Sequence, residues 1–229
     1  MAHIPGVTGA KSERLILDYV YDHEASRPTQ VYLTQPTGNG AVIDYTWRQV
    51  MDEARRMAAH LQSMGLPPGA RVAILSKNCA HFIMAELAIW LGGYTTVAIF
   101  PTETAETVGY VLRHSEASAL FVGKLDSWPQ QKPGVPQGLP CIAFPLAPPN
   151  DCPTWDSIIA RTAPLTGRIQ RAEADLSMIV YTSGSTGTPK GAMISFGAIS
   201  RAGEEIAADV RRRVPPGTQG RMLSYQIGR

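Results

Sequence analysis

The sequence has few cysteines, and their spacing excludes a complete disulfide framework. Cys79, Cys141 and Cys152 form no C-x-x-C pair, and three thiols leave one unpaired in any scheme of disulfides. Free thiols are typical of proteins that reside in a reducing compartment. We therefore expect a cytoplasmic protein.

Long apolar runs and strong charge are also missing. The longest apolar run, near Ile83 to Leu91, is interrupted by Glu86, and the first ten residues lack the charged and apolar regions of a secretory leader. The formal net charge is +2, and the one basic run that stands out is Arg211–Arg213. We expect no membrane-spanning helix, and neither nucleic acid nor an anionic membrane surface as the main partner.

Helical and strand patterns alternate along a chain of 229 residues, which is long enough for one large domain or two small ones. Thr46 and Gln49 form a capping-box pattern at the start of a helix that Gly65 ends. Strands are predicted at 71–75, 95–100 and 119–122, with helices at 78–91 and 104–115 between them. This alternation predicts parallel strands with right-handed helical crossovers.

The second half of the chain is less regular. Residues 123–153 are dense in proline, which predicts a connector with room only for a strand at 141–144. A short helix is predicted at 155–162 and a longer one at 196–213. One more strand is expected at 221–225.

One segment, residues 178–195, carries the chemistry: two strand-type runs flank a loop of small polar residues and one lysine. Gly184 and Gly187 allow positive φ and close approach of the backbone, so that successive N–H groups can surround an anion. Lys190 adds a positive charge on a flexible side chain. Hydroxyls that can donate to phosphoryl oxygens come from Thr182, Ser183, Ser185, Thr186 and Thr188. The loop is therefore predicted to bind phosphate.

Two other interpretations of this loop are weaker. It differs from a P-loop because Pro189 precedes Lys190, Gly191 follows it, and the next residues predict a strand where a P-loop opens a helix. A P-loop NTPase is thus disfavoured, and the loop is expected to join two strands as a hairpin. A solvated turn without a ligand would need neither the lysine nor five hydroxyls.

The segment Tyr181–Gly191 fits the pattern Y-T-S-G-[ST]-T-G-x-P-K-G at every place and resembles the phosphate-binding signature of the adenylate-forming (AMP-binding) superfamily. Three earlier segments, G-A-R-V-A-I-L-S-K-N, H-F-I-M-A-E-L-A-I-W-L-G-G and F-P-T-E-T-A-E-T-V-G-Y-V-L-R-H-S-E-A, are similar to the first half of a long-chain fatty acyl-CoA synthetase. The resemblance covers roughly residues 12–225. It implies an α/β fold, the N-terminal portion of the adenylate-forming enzyme fold, with mostly parallel sheets, helices on both faces and the phosphate loop on a β-hairpin.

The resemblance also implies a division of the chain and an activity. Residues 1–165 would form a first α/β subdomain, and residues 166–229 would begin a second, incomplete one that carries the loop. The implied reaction joins a fatty acid to ATP to give acyl-AMP and pyrophosphate, and then transfers the acyl group to coenzyme A, with Mg²⁺ bridging the ATP phosphates. Residues Thr182 to Thr188 and Lys190 would contact those phosphates.

Other parts of the family's machinery are expected to be absent from these 229 residues. The match breaks at Gln226, so the chain is expected to be truncated after the phosphate-binding motif, and neither the family's C-terminal catalytic lysine nor a metal ligand can be assigned. An alternative is therefore a catalytically inactive fragment or a nucleotide- or pyrophosphate-binding module. Acyl-chain length, oligomeric state and peripheral membrane contact of the full-length enzyme stay open.

Overall fold

A computed structural model describes residues 14–183 and 189–215. The helices are α1 (Ile16–Ser26), α2 (Trp47–Ser63), α3 (Ala80–Leu91), α4 (Ala105–His114), α5 (Trp128–Gln131), α6 (Trp155–Ile159) and α7 (Phe196–Arg213). The strands are β1 (Val31–Gly38), β2 (Ala41–Thr46), β3 (Arg71–Leu75), β4 (Thr95–Ile99), β5 (Ala117–Val122), β6 (Cys141–Ala143), β7 (Leu176–Ser183) and β8 (Pro189–Ser195). The predicted strand at 221–225 lies outside the described residues.

The main sheet has six strands in the order β6-β5-β3-β4-β7-β8, and β1 pairs with β2 in a separate hairpin. Strands β3 to β7 pair in parallel, whereas β8 runs antiparallel to β7. The predicted α/β class with a mostly parallel sheet is therefore confirmed. Strands β7 and β8 continue the sheet that β3 begins, so the proposed boundary between residues 165 and 166 falls within one sheet; that division stays a prediction.

Helices cover both faces of this sheet. In β3, Val72 and Ile74 belong to the core beneath α2 and α3, while Ala73 and Leu75 belong to the core beneath α4. All four side chains are fully buried. A strand buried on both faces is a continuous apolar run, as parallel strands between helical layers require.

The start of α2 follows the predicted capping box. The Gln49 backbone N–H donates to the Thr46 hydroxyl at 3.3 Å, and the Thr46 N–H donates to the Gln49 side-chain oxygen at 2.8 Å. Two N–H groups that the first helical turn leaves unpaired are thereby satisfied. The helix ends just before Gly65, whose φ of 70° is a conformation that glycine adopts without steric cost.

The proline-rich connector contains more structure than the sequence predicted. It includes α5 and a 3-10 turn over Lys132–Gly134 as well as β6, so the expectation that only a strand would fit was wrong. Pro129 lies in the first turn of α5, where a missing N–H costs nothing, and Trp128 is buried in the core. A proline-rich segment can thus hold short helices at its proline positions.

Glu86 of α3 has a carboxyl group inside the fold. Its Oε1 atom is buried and has no hydrogen-bond partner among the residues described. Burial raises the pKa of Glu86 from 4.5 to about 7, because the charged form is poorly solvated there. The folded protein therefore binds this proton more tightly than the unfolded chain does, and stability is lost as pH rises from about 4.5 through 7.

We expect Glu86→Gln to remove this loss. The variant should match the wild type near pH 4.5 and exceed it at pH 8 by on the order of 2 kcal/mol in free energy of unfolding. Urea unfolding at both pH values measures the difference. His81 has the opposite slope, since burial lowers its pKa to about 4 and stability falls as pH drops below 6.5. The contribution of His81 is the same in both proteins and cancels in their difference. Equal stability of variant and wild type at pH 8 would contradict the raised pKa of Glu86.

Candidate functional site

The predicted phosphate loop is carried by the hairpin of β7 and β8. Their register runs from Leu176 opposite Ser195 to Ser183 opposite Pro189, and it places Thr182 directly opposite Lys190. Directly opposed residues of an antiparallel pair share a face of the sheet, and both of these are exposed. The structure therefore brings together one predicted hydroxyl and the predicted cation, and it confirms the hairpin.

Of the remaining predicted site residues, Ser183 lies within the described part of the chain and the others do not. Ser183 is the last residue of β7, and its backbone pairs with Pro189. Gly184, Ser185, Thr186, Gly187 and Thr188 lie outside the described residues. Their assignment as phosphate ligands stays a prediction.

The hairpin lies at the edge of the sheet where ligand sites of α/β proteins occur. Strand β7 is parallel to β4, and β4 is parallel to β3, so the carboxyl ends of all three strands are at the same edge. After β3 the chain passes to α3 on one face, and after β4 it passes to α4 on the other. The strand order reverses between β3 and β5, and open α/β sheets bind their ligands in the crevice at the carboxyl ends of such a pair, which is the same edge of the sheet.

A small cavity of about 120 Å³ lies beside the hairpin, at the end of its strands nearest the loop. Its lining comprises Ile99, Phe100, Glu103, Thr107, Val111, Tyr181 and Pro189. The cavity is smaller than the several hundred cubic ångströms of a typical ligand pocket. Tyr181 lines it, and because side chains alternate along a strand, Thr182 and Lys190 are directed to the opposite face of the hairpin. The cavity is therefore not the phosphate site itself.

Gly191 explains how the two strands fit together at this point. A Cβ atom at Gly191 would lie 3.0 Å from Ile179 Cγ2 and 3.2 Å from Tyr181 Cζ. Contacts of that length are tighter than ordinary van der Waals contact. A side chain at the position that separates this loop from a P-loop would therefore have to displace Ile179 or Tyr181 by a few tenths of an ångström.

Comparison with known proteins identifies the family. The sequence pattern of the family described as AMP-binding enzyme matches residues 22–226. The chain belongs to the AMP-binding enzyme family. The match includes the whole hairpin and the sheet that supports it. The predicted resemblance to adenylate-forming enzymes is confirmed.

Several AMP-binding enzymes resemble the chain. It is 32% identical over 183 residues to the long-chain-fatty-acid–CoA ligase FadD15 of Mycobacterium bovis, covering 77% of this chain and 30% of that protein. It is 28% identical over 177 residues to the human long-chain-fatty-acid–CoA ligase ACSBG2, covering 72% of this chain and 27% of that protein. The chain therefore spans less than a third of the length of these curated relatives.

Solved structures of AMP-binding enzymes share the fold. An anthranilate CoA ligase, AuaEII, in complex with anthranoyl-AMP superposes with a TM-score of 0.70 at 21% identity, covering 80% of this chain and 35% of that one. Acetoacetyl-CoA synthetase from Streptomyces lividans gives a TM-score of 0.70 at 22% identity, covering 81% and 31%. The predicted correspondence to the N-terminal part of the adenylate-forming fold is therefore confirmed.

Among the described helices, none combines the length and the apolar character needed to cross a bilayer. In the same residues, no three His, Cys, Asp or Glu side chains are grouped so as to hold a metal ion. Mg²⁺ usually keeps several waters and binds through one or two carboxylates together with substrate phosphates. The predicted loop offers hydroxyls and one lysine but no carboxylate, so an Mg²⁺ ion there would be held mainly by substrate phosphates and water.

Sequence reasoning missed the residues of α4 that contact Tyr181 of β7. The Tyr181 hydroxyl is 2.7 Å from Nδ1 of His114, at the end of α4, and the ring of Tyr110 stacks on the His114 ring. His114 and Tyr181 are 67 residues apart. A sequence pattern that describes one strand or one helix at a time contains no signal for such a contact.

Proposed function

We propose that the protein to which this chain belongs activates a long-chain fatty acid with ATP and transfers the acyl group to coenzyme A. The observation that supports this most directly is the Tyr181–Gly191 motif on a β-hairpin at the carboxyl edge of a parallel sheet, with Thr182 opposite Lys190. The long-chain preference is supported by the names of FadD15 and ACSBG2. The structural neighbours described above are named for other acids, so the identity of the acyl substrate is the most specific part of the proposal.

In the proposed reaction an oxygen of the fatty-acid carboxylate attacks the α-phosphorus of ATP. An O–P bond forms, the bond to the β-phosphate bridging oxygen breaks, and pyrophosphate leaves with the electron pair. Both reactants are anionic, so donors and cations are needed where charge accumulates. A bound Mg²⁺ would neutralise part of that charge.

The chain's own residues contribute donors to the triphosphate. Thr182 donates its hydroxyl and Lys190 its ammonium group from the same face of the hairpin, while Ser183 to Thr188 are proposed to add hydroxyls and backbone N–H groups. Lys190 acts as a point charge toward the leaving pyrophosphate. We assign no catalytic lysine within these 229 residues. The three free thiols support the proposal of a reducing, cytoplasmic compartment.

Acid-dependent ATP–pyrophosphate exchange by the full protein, with palmitate and Mg²⁺ present, tests this proposal. We expect Lys190→Ala to slow exchange at least tenfold at saturating ATP while leaving the fold intact, because an exposed lysine contributes charge and little packing. The control is Lys132→Ala, which removes an exposed lysine that pairs with Asp151 in the connector. Equal rates for Lys190→Ala and wild type would remove Lys190 from the proposed site.

A second candidate is a module that binds nucleotide or pyrophosphate without ligating an acid. It has the same hairpin, and it predicts ATP binding that calorimetry detects but no exchange when a fatty acid is added. Exchange that appears only with an acid excludes this candidate.

A further inference from the structure

Tyr181 is held in place by the end of α4. Its hydroxyl oxygen lies 2.7 Å from Nδ1 of His114, and the two rings are perpendicular with their centroids 5.7 Å apart. Tyr110, one turn earlier on α4, stacks on His114 at 5.2 Å and meets the Tyr181 ring edge-on at 6.4 Å. Tyr181 is 5% exposed, so its ring and hydroxyl are fixed by these neighbours.

Tyr181 directly precedes the residues of the hairpin that are proposed to bind phosphate. On one side of it β8 passes close by at Gly191, its cross-strand partner. The next residue along β7 is Thr182, which lies opposite Lys190. Because successive residues of a strand point to opposite faces, fixing the Tyr181 ring against α4 also fixes the direction of the Thr182 and Lys190 side chains.

We propose that His114 is a positioning residue for triphosphate binding, acting through its hydrogen bond to Tyr181. His114 contributes from α4, on the face of the sheet opposite to Thr182 and Lys190, and it acts on the nucleotide only through the hairpin. The inference rests on the proposed function and deepens it. Burial raises the pKa of Tyr181, so its hydroxyl remains protonated and can donate to the imidazole nitrogen.

Loss of the hydrogen bond between Tyr181 and His114 is expected to weaken the affinity for ATP. A hydroxyl–imidazole hydrogen bond inside a protein contributes a modest net amount, but a buried hydroxyl left unpaired costs more. A displacement of about 1 Å in a binding group can reduce a rate far more than its distance from the chemistry suggests. We therefore expect loss of either partner to weaken ATP use about tenfold.

The test is a double-mutant cycle in the full protein with His114→Leu, Tyr181→Phe and the two combined. Each single variant should raise the KM for ATP about tenfold, and the double variant should be no worse than either, since both remove one interaction. His114→Asn, whose side-chain oxygen Oδ1 can accept the Tyr181 hydroxyl in place of Nδ1, should return the KM to within about threefold of wild type. His60→Leu on α2, which packs on the other face of the sheet, is the matched control and should leave the KM unchanged.

A second measurement separates this inference from the proposed function. Amide hydrogen exchange of the segment 178–195 should be about tenfold faster in His114→Leu than in His60→Leu. One outcome is that the wild type lacks acid-dependent ATP–pyrophosphate exchange while His114→Leu still accelerates amide exchange. In that case the proposed ligase function fails, and the positioning role of the His114–Tyr181 contact stands. Unchanged amide exchange, or additive effects of the two single variants on KM, would overturn the role of His114.

Discussion

Replacing Trp155 with alanine is expected to lower the free energy of unfolding by about 4 kcal/mol. Trp155 begins α6, is fully buried, and packs against a group of rings beneath the sheet. Its ring lies edge-on to those of His81 and Phe144, with centroids 5.4 and 5.8 Å away. The alanine variant would leave a cavity among rigid rings that cannot close it, and a cavity that does not collapse gives the upper end of such costs.

The indole also has a polar role. Its N–H donates to Glu53 at 2.8 Å, and Glu53 is half-buried on α2, where burial raises the pKa of its carboxyl group. Without the indole, that carboxylate loses a donor in a poorly solvated place. The cost of Trp155→Ala therefore has a packing part and a hydrogen-bond part.

Urea unfolding of Trp155→Phe separates these parts. Phenylalanine keeps most of the ring volume and removes the donor, so we expect it to cost about 1–2 kcal/mol. Phe100→Ala, at a site 41% exposed, is the control for loss of an aromatic side chain with little burial and should cost less than 1 kcal/mol. A loss in Trp155→Phe equal to that in Trp155→Ala would show that the bond to Glu53, and not packing, determines the stability.

Local signals in the sequence were sufficient for most of the elements. The capping box at Thr46 and Gln49 defines the start of its helix through atoms three residues apart, and β3 is a strand because four adjacent residues, Val72–Leu75, are suited to burial on both faces. The hairpin of β7 and β8 was likewise predicted from adjacent residues, because Pro189 and Gly191 exclude the P-loop alternative. Each of these signals lies within one short segment of chain.

The parts that could not be predicted depend on contacts between distant segments. Nothing in the sequence places β7 next to β4, because that pairing follows from how six strands are ordered in one sheet. Consequently the position of the phosphate hairpin beside β4, at the carboxyl edge of the sheet, was not predicted. The bond from Tyr181 to His114 was missed for the same reason, since the two residues are 67 positions apart along the chain.

Arg171 is a further residue of this kind. No helix or strand was predicted around Arg171, but its side chain is 8% exposed and contacts the start of β7. Its guanidinium donates to the carbonyl oxygens of Trp90, Tyr94 and Leu176 at 3.3–3.4 Å. Those carbonyls belong to the end of α3, the turn before β4 and the first residue of β7. The arginine thereby joins the start of β7 to the segment that leads into β4.

Two other contacts complete its environment. Arg171 Nε is 3.1 Å from the Asp175 carboxylate, four residues later, and the guanidinium lies 4.7 Å from the centroid of the Phe196 ring. A planar cation with five donors suits this place, because it can serve three carbonyls, a carboxylate and an aromatic face together. Lysine offers three donors on a flexible chain and cannot reproduce that geometry.

We expect Arg171→Ala to lower the free energy of unfolding by about 3 kcal/mol, because it leaves partly buried carbonyl groups without donors. The chain contains a matched control in Arg56, which forms the same kind of ion pair with Asp52 at a spacing of four residues but is 32% exposed. Arg56 is more exposed than Arg171 and donates to one carbonyl, that of Thr162, so removing it should cost less than about 1 kcal/mol. Urea unfolding of both variants compares the two sites, and Arg171→Lys should fall between wild type and Arg171→Ala. If the two alanine variants lost equal stability, burial of the guanidinium would not be what makes Arg171 important, and its role in holding β7 beside β4 would have to be abandoned.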